Sequence, residues 1–319
     1  MRSAVKIISA SIGLALLAAC GGGGGDTNST PTTIHTQADV LTVASLGVLS
    51  VSLTGADIAP DLGVLGALVQ GLSSVASGSL AVPASSCIDN GAGSGTFGVT
   101  LSKSGTYTGF NAGDQISLNF DNCDFGGIGY VINGPVTLTL QSAAVNLTSD
   151  TYSVGFQADT TGLSTALGGV AVAYTGTANV TTGTTNGTTN SANFTVPAGK
   201  SFTANVTGSS GALSLVYNSG TTFFATDVAS PNSASRALNG SVSTGGVALV
   251  ISTPTALAGT TSSGAFVASS GVINTKATAL NLATSTTLSG LMASVNGDTN
   301  GDDTLDLAFQ STWLILVGQ

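Results

Sequence analysis

The chain has 319 residues, of which only 6 are basic and 15 acidic, so that 7% are charged and the net charge is −9. All the acids are Asp, and Glu, Lys and Arg, which favour helices, are replaced by Thr, Ser, Asn and 44 Gly. This composition excludes a helical bundle as the main architecture. It also excludes nucleic-acid binding, because six cations cannot neutralise a row of phosphates. A hydrophobic content of 42% predicts a folded core.

The first 19 residues have the layout of a secretory signal peptide. Arg2 and Lys6 precede an apolar run at 7–17, which is too short to form a stable membrane-spanning helix. The following Leu-Ala-Ala-Cys at 17–20 resembles the lipobox of bacterial lipoproteins. This resemblance implies cleavage before Cys20, lipidation of Cys20 with acyl chains that include palmitate, and anchoring to a membrane. The alternative is an ordinary signal peptide with a chance cysteine.

Residues 20–36 combine the lipidated cysteine, five glycines and a Thr/Ser-rich stretch, which predicts a flexible tether. Gly21 follows Cys20, where an Asp would favour retention in the inner membrane. The resemblance therefore implies the outer membrane of a Gram-negative bacterium, with the body on the periplasmic face or on the cell surface. Cleavage would leave four cations against 15 acids, a net charge of −11.

Two further cysteines, Cys87 and Cys123, remain in the exported body. An even number of cysteines in an exported chain predicts a disulfide. A metal site is the poorer alternative, because the single histidine, His35, falls in the predicted tether.

Residues 37–82 form an apolar segment with little alternation. Leu62, Leu65, Leu68, Val69 and Leu72 recur at helical spacing and predict a helix over 61–76, with a second over 39–53. Because Asp57 and Asp61 interrupt the run, we expect these helices to cover a sheet rather than to cross a membrane.

Residues 83–319 predict an antiparallel β domain, because from Thr96 onward apolar and polar residues alternate with period two. The alternating segments are 116–120, 136–140, 152–156, 213–217, 247–251, 305–309 and 313–317. Turn sequences such as Asn133-Gly134 separate them. The predicted fold is therefore mainly β, an antiparallel meander forming an open barrel, half-barrel or sandwich. The low-complexity stretch 181–191 predicts either a long hairpin tip or a boundary between two lobes.

Catalytic constellations are scarce in this sequence. Nucleophilic catalysis usually needs a nearby base, and His35 lies far from the predicted body. Asp114, Asp121 and Asp124 cluster around Cys123, where we interpret them as turn residues that bond their own backbone. The sequence therefore predicts a protein that is not an enzyme.

The best candidate site in the sequence is the segment 297–306, which carries oxygen ligands at the alternate positions by which a tight loop wraps Ca²⁺. Those positions hold Asp298, Asn300, Asp302, Thr304 and Asp306. The segment resembles the calcium loops of EF-hand and dockerin modules. Asp303 replaces the usual glycine and Phe309 the final acid, so the alternative is a solvated β-turn.

Three functional hypotheses follow from the sequence. The first is a non-catalytic outer-membrane lipoprotein whose β body is a binding or structural module with an unknown ligand or protein partner. The second is a carrier that holds a hydrophobic ligand in an open β-barrel. The third is a surface adhesin or self-associating protein, because Thr/Asn-rich strands with few edge charges lack protection against pairing.

Overall fold

The computed structural model describes residues 34–72, 80–87, 92–102, 110–125, 127, 129–146, 151–208, 211–229, 232–262 and 265–316. Within these ranges the chain is a mainly β protein with helices at its N-terminal end, which confirms the predicted fold class. The predicted signal peptide, Cys20 and the tether up to residue 33 lie outside the described residues. No helix among the described residues is long and apolar enough to cross a membrane.

The N-terminal helices form one almost unbroken helical segment. Helix α1 (Gln37–Leu53) passes through a π-helical turn (Thr54–Ile58) into helix α2 (Ala59–Leu72). The start of α1 is fixed by a capping box, in which Asp39 Oδ2 accepts the Thr36 N–H at 2.8 Å and Thr36 Oγ1 accepts the Asp39 N–H at 3.3 Å. Helix α1 is apolar on all sides, as expected of a helix that is covered all round.

Seventeen strands follow in the described part of the chain. The first nine are β1 (Leu80–Ser86), β2 (Gly93–Ser102), β3 (Gln115–Phe125), β4 (Val131–Asn146), β5 (Thr151–Asp159), β6 (Ser164–Leu167), β7 (Val170–Thr185), β8 (Thr189–Thr195) and β9 (Ser201–Gly208). The remaining eight are β10 (Gly211–Asn218), β11 (Thr222–Val228), β12 (Ser233–Thr244), β13 (Val247–Ser262), β14 (Ala265–Ala277), β15 (Leu282–Ser289), β16 (Met292–Asp298) and β17 (Leu307–Thr312).

The strands pair antiparallel as a meander, and several follow one another end to end along the same neighbour. Strands β5 and β6 both lie between β4 and β7. Strands β8 and β9 both pair with β7, and β10 and β11 both pair with β12. Because β8 also pairs with β11 and β9 with β10, the strands from β7 to β12 form a closed ring of pairing. The stretch 181–191 forms the end of β7, the hairpin tip and the start of β8.

A line of irregular residues crosses the sheet where these strands break; we call it the bulge line. It consists of Gly134, Gly176 and Gly240 together with the breaks at 160–163, 196–200 and 219–221. Adjacent members touch: the Thr160 N–H donates to Gly176 O at 3.0 Å, and the Val196 N–H donates to Thr221 O at 2.9 Å. Since bulges bend a strand and increase its twist, the sheet curves along this line.

Two glycines show why the bulge line needs residues without a Cβ. Gly176 has φ +107° and Gly240 has φ +136°, conformations that L side chains rarely adopt. A Cβ at Gly176 would lie 2.2 Å from Ser201 O, and a Cβ at Gly240 would lie 2.6 Å from Thr221 Cα. The backbones approach too closely at both points for any other residue.

Buried threonine hydroxyls form hydrogen bonds with backbone groups along the bulge line. The Thr160 hydroxyl donates to Gly176 O at 3.1 Å, and the Thr221 hydroxyl donates to Ser241 O at 2.9 Å. The Leu238 N–H donates to Thr253 Oγ1 at 3.1 Å. Because an unpaired buried backbone group is costly, these hydroxyls make the bend tolerable inside the protein.

The helical segment packs on the sheet through glycines. A Cβ at Gly47 would lie 1.9 Å from Thr275 Oγ1 of β14, one at Gly55 would lie 2.9 Å from the Arg236 side chain of β12, and one at Gly66 would lie 1.9 Å from Thr182 Oγ1 of β7. Beneath the π-helical turn lies an aromatic cluster whose neighbouring ring centroids are 5.4–6.2 Å apart. Its members are Tyr174, Phe194, Phe202, Tyr217 and Phe223.

The structure confirms the predicted Cys87–Cys123 disulfide, with a Cα–Cα distance of 5.5 Å. It joins the end of β1 to β3 across β2, and both cysteines are buried.

One strand prediction is wrong. The alternating residues 313–317 were expected to be a strand, whereas Trp313–Leu316 is a short helix, α3. The Thr312 hydroxyl accepts the Ile315 N–H at 3.3 Å, which is the local contact that starts a helix.

Two glycines of α2 provide a test of the helix–sheet contact. Gly66→Ala should destabilise the protein by about 1–3 kcal/mol, because its methyl group would overlap Thr182. Gly63→Ala is the matched control. No atom lies within 4 Å of its Cβ position, so it should stabilise by about 0.5–1 kcal/mol through helix propensity. Chemical unfolding of both variants measures the difference, and equal effects would contradict the close packing of α2 on β7.

Candidate functional site: a groove beside helix α2

A groove of about 520 Å³ runs between the start of α2 and the sheet. Its helix side is made by residues of the segment 55–67, and its sheet side by residues of β6, β7, β8, β11 and β12. The volume falls in the range of sites for small organic molecules. Its lining is mixed, with two charged polar ends, at Asp61 and at Arg236.

The first polar end is centred on Asp61, which is 8% exposed and lies in the first turn of α2. Tyr130 Oη donates to Asp61 Oδ1 at 2.5 Å, and Thr165 Oγ1 donates to Asp61 Oδ2 at 2.6 Å. Tyr174 Oη also donates to Oδ2. Three hydroxyl donors offset the cost of burying this carboxylate in the middle of the helical segment. Asp61 therefore joins the helix to β6, β7 and the segment before β4.

The second polar end is centred on Arg236, which is 3% exposed. Arg236 Nη2 donates to both carboxylate oxygens of Asp227, at 2.7 and 3.0 Å, and Nη1 donates to the carbonyls of Thr226 and Ser235, each at 2.9 Å. The guanidinium also lies over the Phe266 ring, 4.9 Å from its centroid. The ion pair neutralises the charge of Arg236, so burial of this residue is compensated.

One nitrogen of this guanidinium, Nε, takes part in none of these contacts. Arg236 Nε is buried and has no hydrogen-bond partner among the residues that the structure describes. It lies beside Gly55, where a Cβ would be 2.9 Å from Nε, and both residues line the groove. An unpaired buried donor is uncommon in proteins, so Nε is a polar point without a protein acceptor at this end of the groove.

Apolar side chains line the rest of the groove together with uncharged polar ones such as Thr182, Asn190 and Ser191. Side chains of the helix and of the strands face each other across it. They include Val64, Ala67, Leu167, Val172, Ala192 and Val228. This arrangement suits a molecule with an apolar body and a small number of polar atoms.

The predicted calcium loop is held together by its own backbone. Asp298, 1% exposed, accepts the N–H groups of Gly301 and Asp303, each at 2.7 Å. Asn300 Oδ1 accepts the Asp302 N–H at 3.0 Å, and Asp302 Oδ1 accepts the Thr304 N–H at 2.8 Å. Over the described part of the chain, no three His, Cys, Asp or Glu side chains come together to hold a metal ion. The geometry therefore gives the calcium prediction no support.

Charges at the rim of this loop pair with protein groups. Lys276 Nζ lies 2.7 Å from Asp303 Oδ1, and this hydrogen bond with its ionic attraction raises the pKa of Lys276. Asp306 accepts the N–H and the hydroxyl of Thr299, both at 2.9 Å, which lowers the pKa of Asp306 below its ordinary 3.8.

The structure places His35 differently from the sequence prediction. It was expected in the flexible tether, but its side chain is buried. Its Nε2 lies 2.7 Å from Leu280 O, and its backbone N–H donates to Thr299 O at 2.7 Å. The packed body therefore begins before the predicted boundary at residue 36, and His35 has a structural contact far from the groove residues.

Of the acids around Cys123, Asp114 and Asp124 bond backbone N–H groups as predicted, whereas Asp121 lies in strand β3 and bonds a side chain. Asp114 Oδ2 accepts the Asn111 N–H at 2.9 Å, and Asp124 Oδ2 accepts the Gly129 N–H at 3.1 Å. Asp121 Oδ1 accepts the side-chain amide of Asn122 at 3.0 Å. These contacts bring none of the three carboxylates to the groove.

Sequence reasoning missed the groove, although one signal was present. Arg236 stands between Ala234 and Leu238 in β12, and all three are buried. An arginine on the apolar face of an alternating strand predicts a buried cation with a partner. In the sequence Asp61 only interrupts an apolar run, and nothing there connects it with Tyr130 or Tyr174.

The Asp306 contact leads to a pH-dependent prediction. A lowered pKa means that Asp306 stabilises the fold above its ordinary pKa and that this contribution is lost as the pH falls through the folded value. Thr299→Val removes the hydroxyl donor but keeps the N–H, so the pKa of Asp306 should rise towards 3.8 without reaching it. NMR titration of the carboxyl group measures the change. Thr304→Val, at an exposed position of the same loop, should leave the pKa of Asp306 where it is.

No protein-family model, curated protein sequence or solved structure matches this chain.

Proposed function

We propose that this chain is a lipid-anchored outer-membrane protein of a Gram-negative bacterium whose β body binds a small, largely apolar molecule without chemical conversion. The observation that carries the proposal is the groove of about 520 Å³ between α2 and the sheet. The helical segment and the sheet enclose this groove from two sides, and its volume is in the range of small-molecule sites.

Binding without catalysis is favoured by the state of the ionisable groups in the groove. Asp61 accepts three hydroxyl hydrogen bonds, and Arg236 is paired with Asp227. A general acid or base needs a proton that it can exchange with a substrate. Both charged ends are instead occupied by protein partners, as expected of groups that hold the groove open and orient a ligand.

The membrane anchor in this proposal depends on the lipobox resemblance at 17–20. The acyl chains would hold the protein at the membrane, and the segment between Cys20 and the start of α1 would connect the anchor with the body. The adhesin or self-association hypothesis stays a prediction. Its support is the exposure of Leu291, Met292 and Ile315 in the described part of the chain.

Filling the groove tests the binding function. We expect the full chain carrying Cys20→Ala, prepared without detergent, to bind the uncharged dye N-phenyl-1-naphthylamine with increased fluorescence. Adding Ala67→Trp should weaken dye binding at least about tenfold, because Ala67 lines the groove and an indole there would fill part of it. Ala198→Trp, the same change at an exposed turn, is the control. Equal dye binding by the two tryptophan variants would overturn the proposal.

Replacing Cys20 tests the anchor. Wild-type cells should incorporate labelled palmitate into the protein and retain it in the membrane fraction, whereas Cys20→Ala should lose both the label and the membrane association. The Cys87→Ala, Cys123→Ala double variant controls for loss of cysteine as such, because both residues are used by the disulfide and it should keep the label. Absence of label from the wild-type protein would show that the N-terminus is an ordinary signal peptide.

A further inference from the structure

We infer that two copies of this chain associate by antiparallel pairing of their β17 strands (Leu307–Thr312), which joins their sheets edge to edge. Strand β17 is the last strand of the meander, and along one edge it pairs with β16. Among the described helices and strands, only β16 and the short helix α3 make more than marginal contact with β17. Its second edge therefore offers backbone N–H and C=O groups with which a further strand can pair.

The hydrogen bond of Trp313 shows which backbone groups of β17 lie at this open edge. The Trp313 N–H donates to Leu291 O at 3.0 Å, next to the aligned pair of Thr312 with Met292. In an antiparallel pair, residues that bond to the neighbouring strand alternate with residues whose N–H and C=O groups point to the other side. The alternate residues Ala308, Gln310 and Thr312 therefore present their backbone groups at the open edge.

Exposed apolar side chains are concentrated around the same strand. Of the seven large hydrophobic residues that are exposed in the described part of the chain, four lie there. Leu305 precedes β17 and Ile315 follows it in α3, while Leu291 and Met292 lie beside its C-terminal end at the turn between β15 and β16. Exposed apolar side chains that cluster in this way mark interaction surfaces.

The order of these side chains along the strand fits a second copy of the chain as the partner. A two-fold symmetric dimer uses the same surface twice, in opposite directions. With the axis at Gln310, the central open residue, Ala308 lies opposite Thr312 of the second copy, so that open backbone groups meet open backbone groups. The same arrangement brings Leu305 to helix α3 of the second copy, where Ile315 is exposed. Each copy thus covers an exposed apolar side chain of the other.

The charges at the edge also allow two copies to meet. Strand β17 contains no charged residue, so like charges do not face each other across the axis. The preceding acid, Asp306, lies at one end of the strand, and the two copies of Asp306 therefore lie at opposite ends of the paired strands. Natural edge strands are usually protected from pairing by Lys or Pro, and β17 contains neither.

Sedimentation of the full chain carrying Cys20→Ala, prepared without detergent, tests the inference. We expect a dimer with a Kd of about 10–100 µM, because one short strand and its flanking side chains form a small interface. Gln310→Pro removes an N–H group at the open edge and spares the groups that bond to β16, so it should weaken association at least about tenfold. Gln310→Ala is the matched control, since it loses the same side chain but keeps the N–H, and it should still dimerise.

Two further variants cover the case that Gln310→Pro fails to fold. Gln310→Lys places two like charges opposite each other at the axis and should weaken association at least about threefold. Gln310→Cys should form an intermolecular disulfide under oxidising conditions, whereas Thr222→Cys, at an exposed position of β11, should not.

Three results would overturn the inference. They are a chain that stays monomeric up to about 1 mM, a dimer that neither Gln310→Pro nor Gln310→Lys weakens, and equal cross-linking of the two cysteine variants. A monomeric chain would leave the open edge to a different extended partner. None of these results bears on dye binding, because β17 contributes no residue to the groove lining.

Discussion

The structure depends on the burial of a helical segment that is apolar on every side. Helix α1 has no continuous polar face and ten of its seventeen residues are buried, so most of its surface must be covered by protein. A flat sheet covers only one side of a helix. The sheet of this protein must therefore curve around the helical segment, and the glycines Gly47, Gly55 and Gly66 let the helix approach the strands closely enough to exclude gaps.

The breaks along the bulge line allow the sheet to bend around the helical segment. Each break interrupts the ladder, bends its strand and leaves backbone groups to be paired elsewhere. Buried hydroxyls of Thr160, Thr221 and Thr253 add hydrogen bonds to backbone groups along this line. Threonine suits this role because it combines a strand-compatible branched side chain with one hydroxyl that can donate and accept. The high threonine content thus contributes to the interior of the protein as well as to its surface.

Charged residues are scarce in this chain, and the few buried ones lie at the contacts between the helical segment and the sheet. Asp61 fixes the start of α2 to the sheet, and the Arg236–Asp227 pair lies where the helical segment passes over β12. Between these two points helix and sheet leave the groove. The same contacts that position the helix therefore position the candidate site, so that a change in the packing of α2 would also change the shape of the groove.

The sequence by itself determined the β-rich class, most strands and the disulfide. Period-two alternation at Ile116, Leu118 and Phe120 reports directly which face of a strand is buried, because successive side chains point to opposite sides. At 313–317 the same kind of pattern failed. A short apolar run also fits a helical turn, and the contact of the Thr312 hydroxyl with the Ile315 N–H decided between the two. Tertiary structure alone decided the site: Asp61 meets Tyr174 across 113 residues and Thr165 across 104 residues. Alternation is a local property of the chain, whereas the hydrogen bonds of Asp61 depend on how the sheet and the helix pack against each other in space.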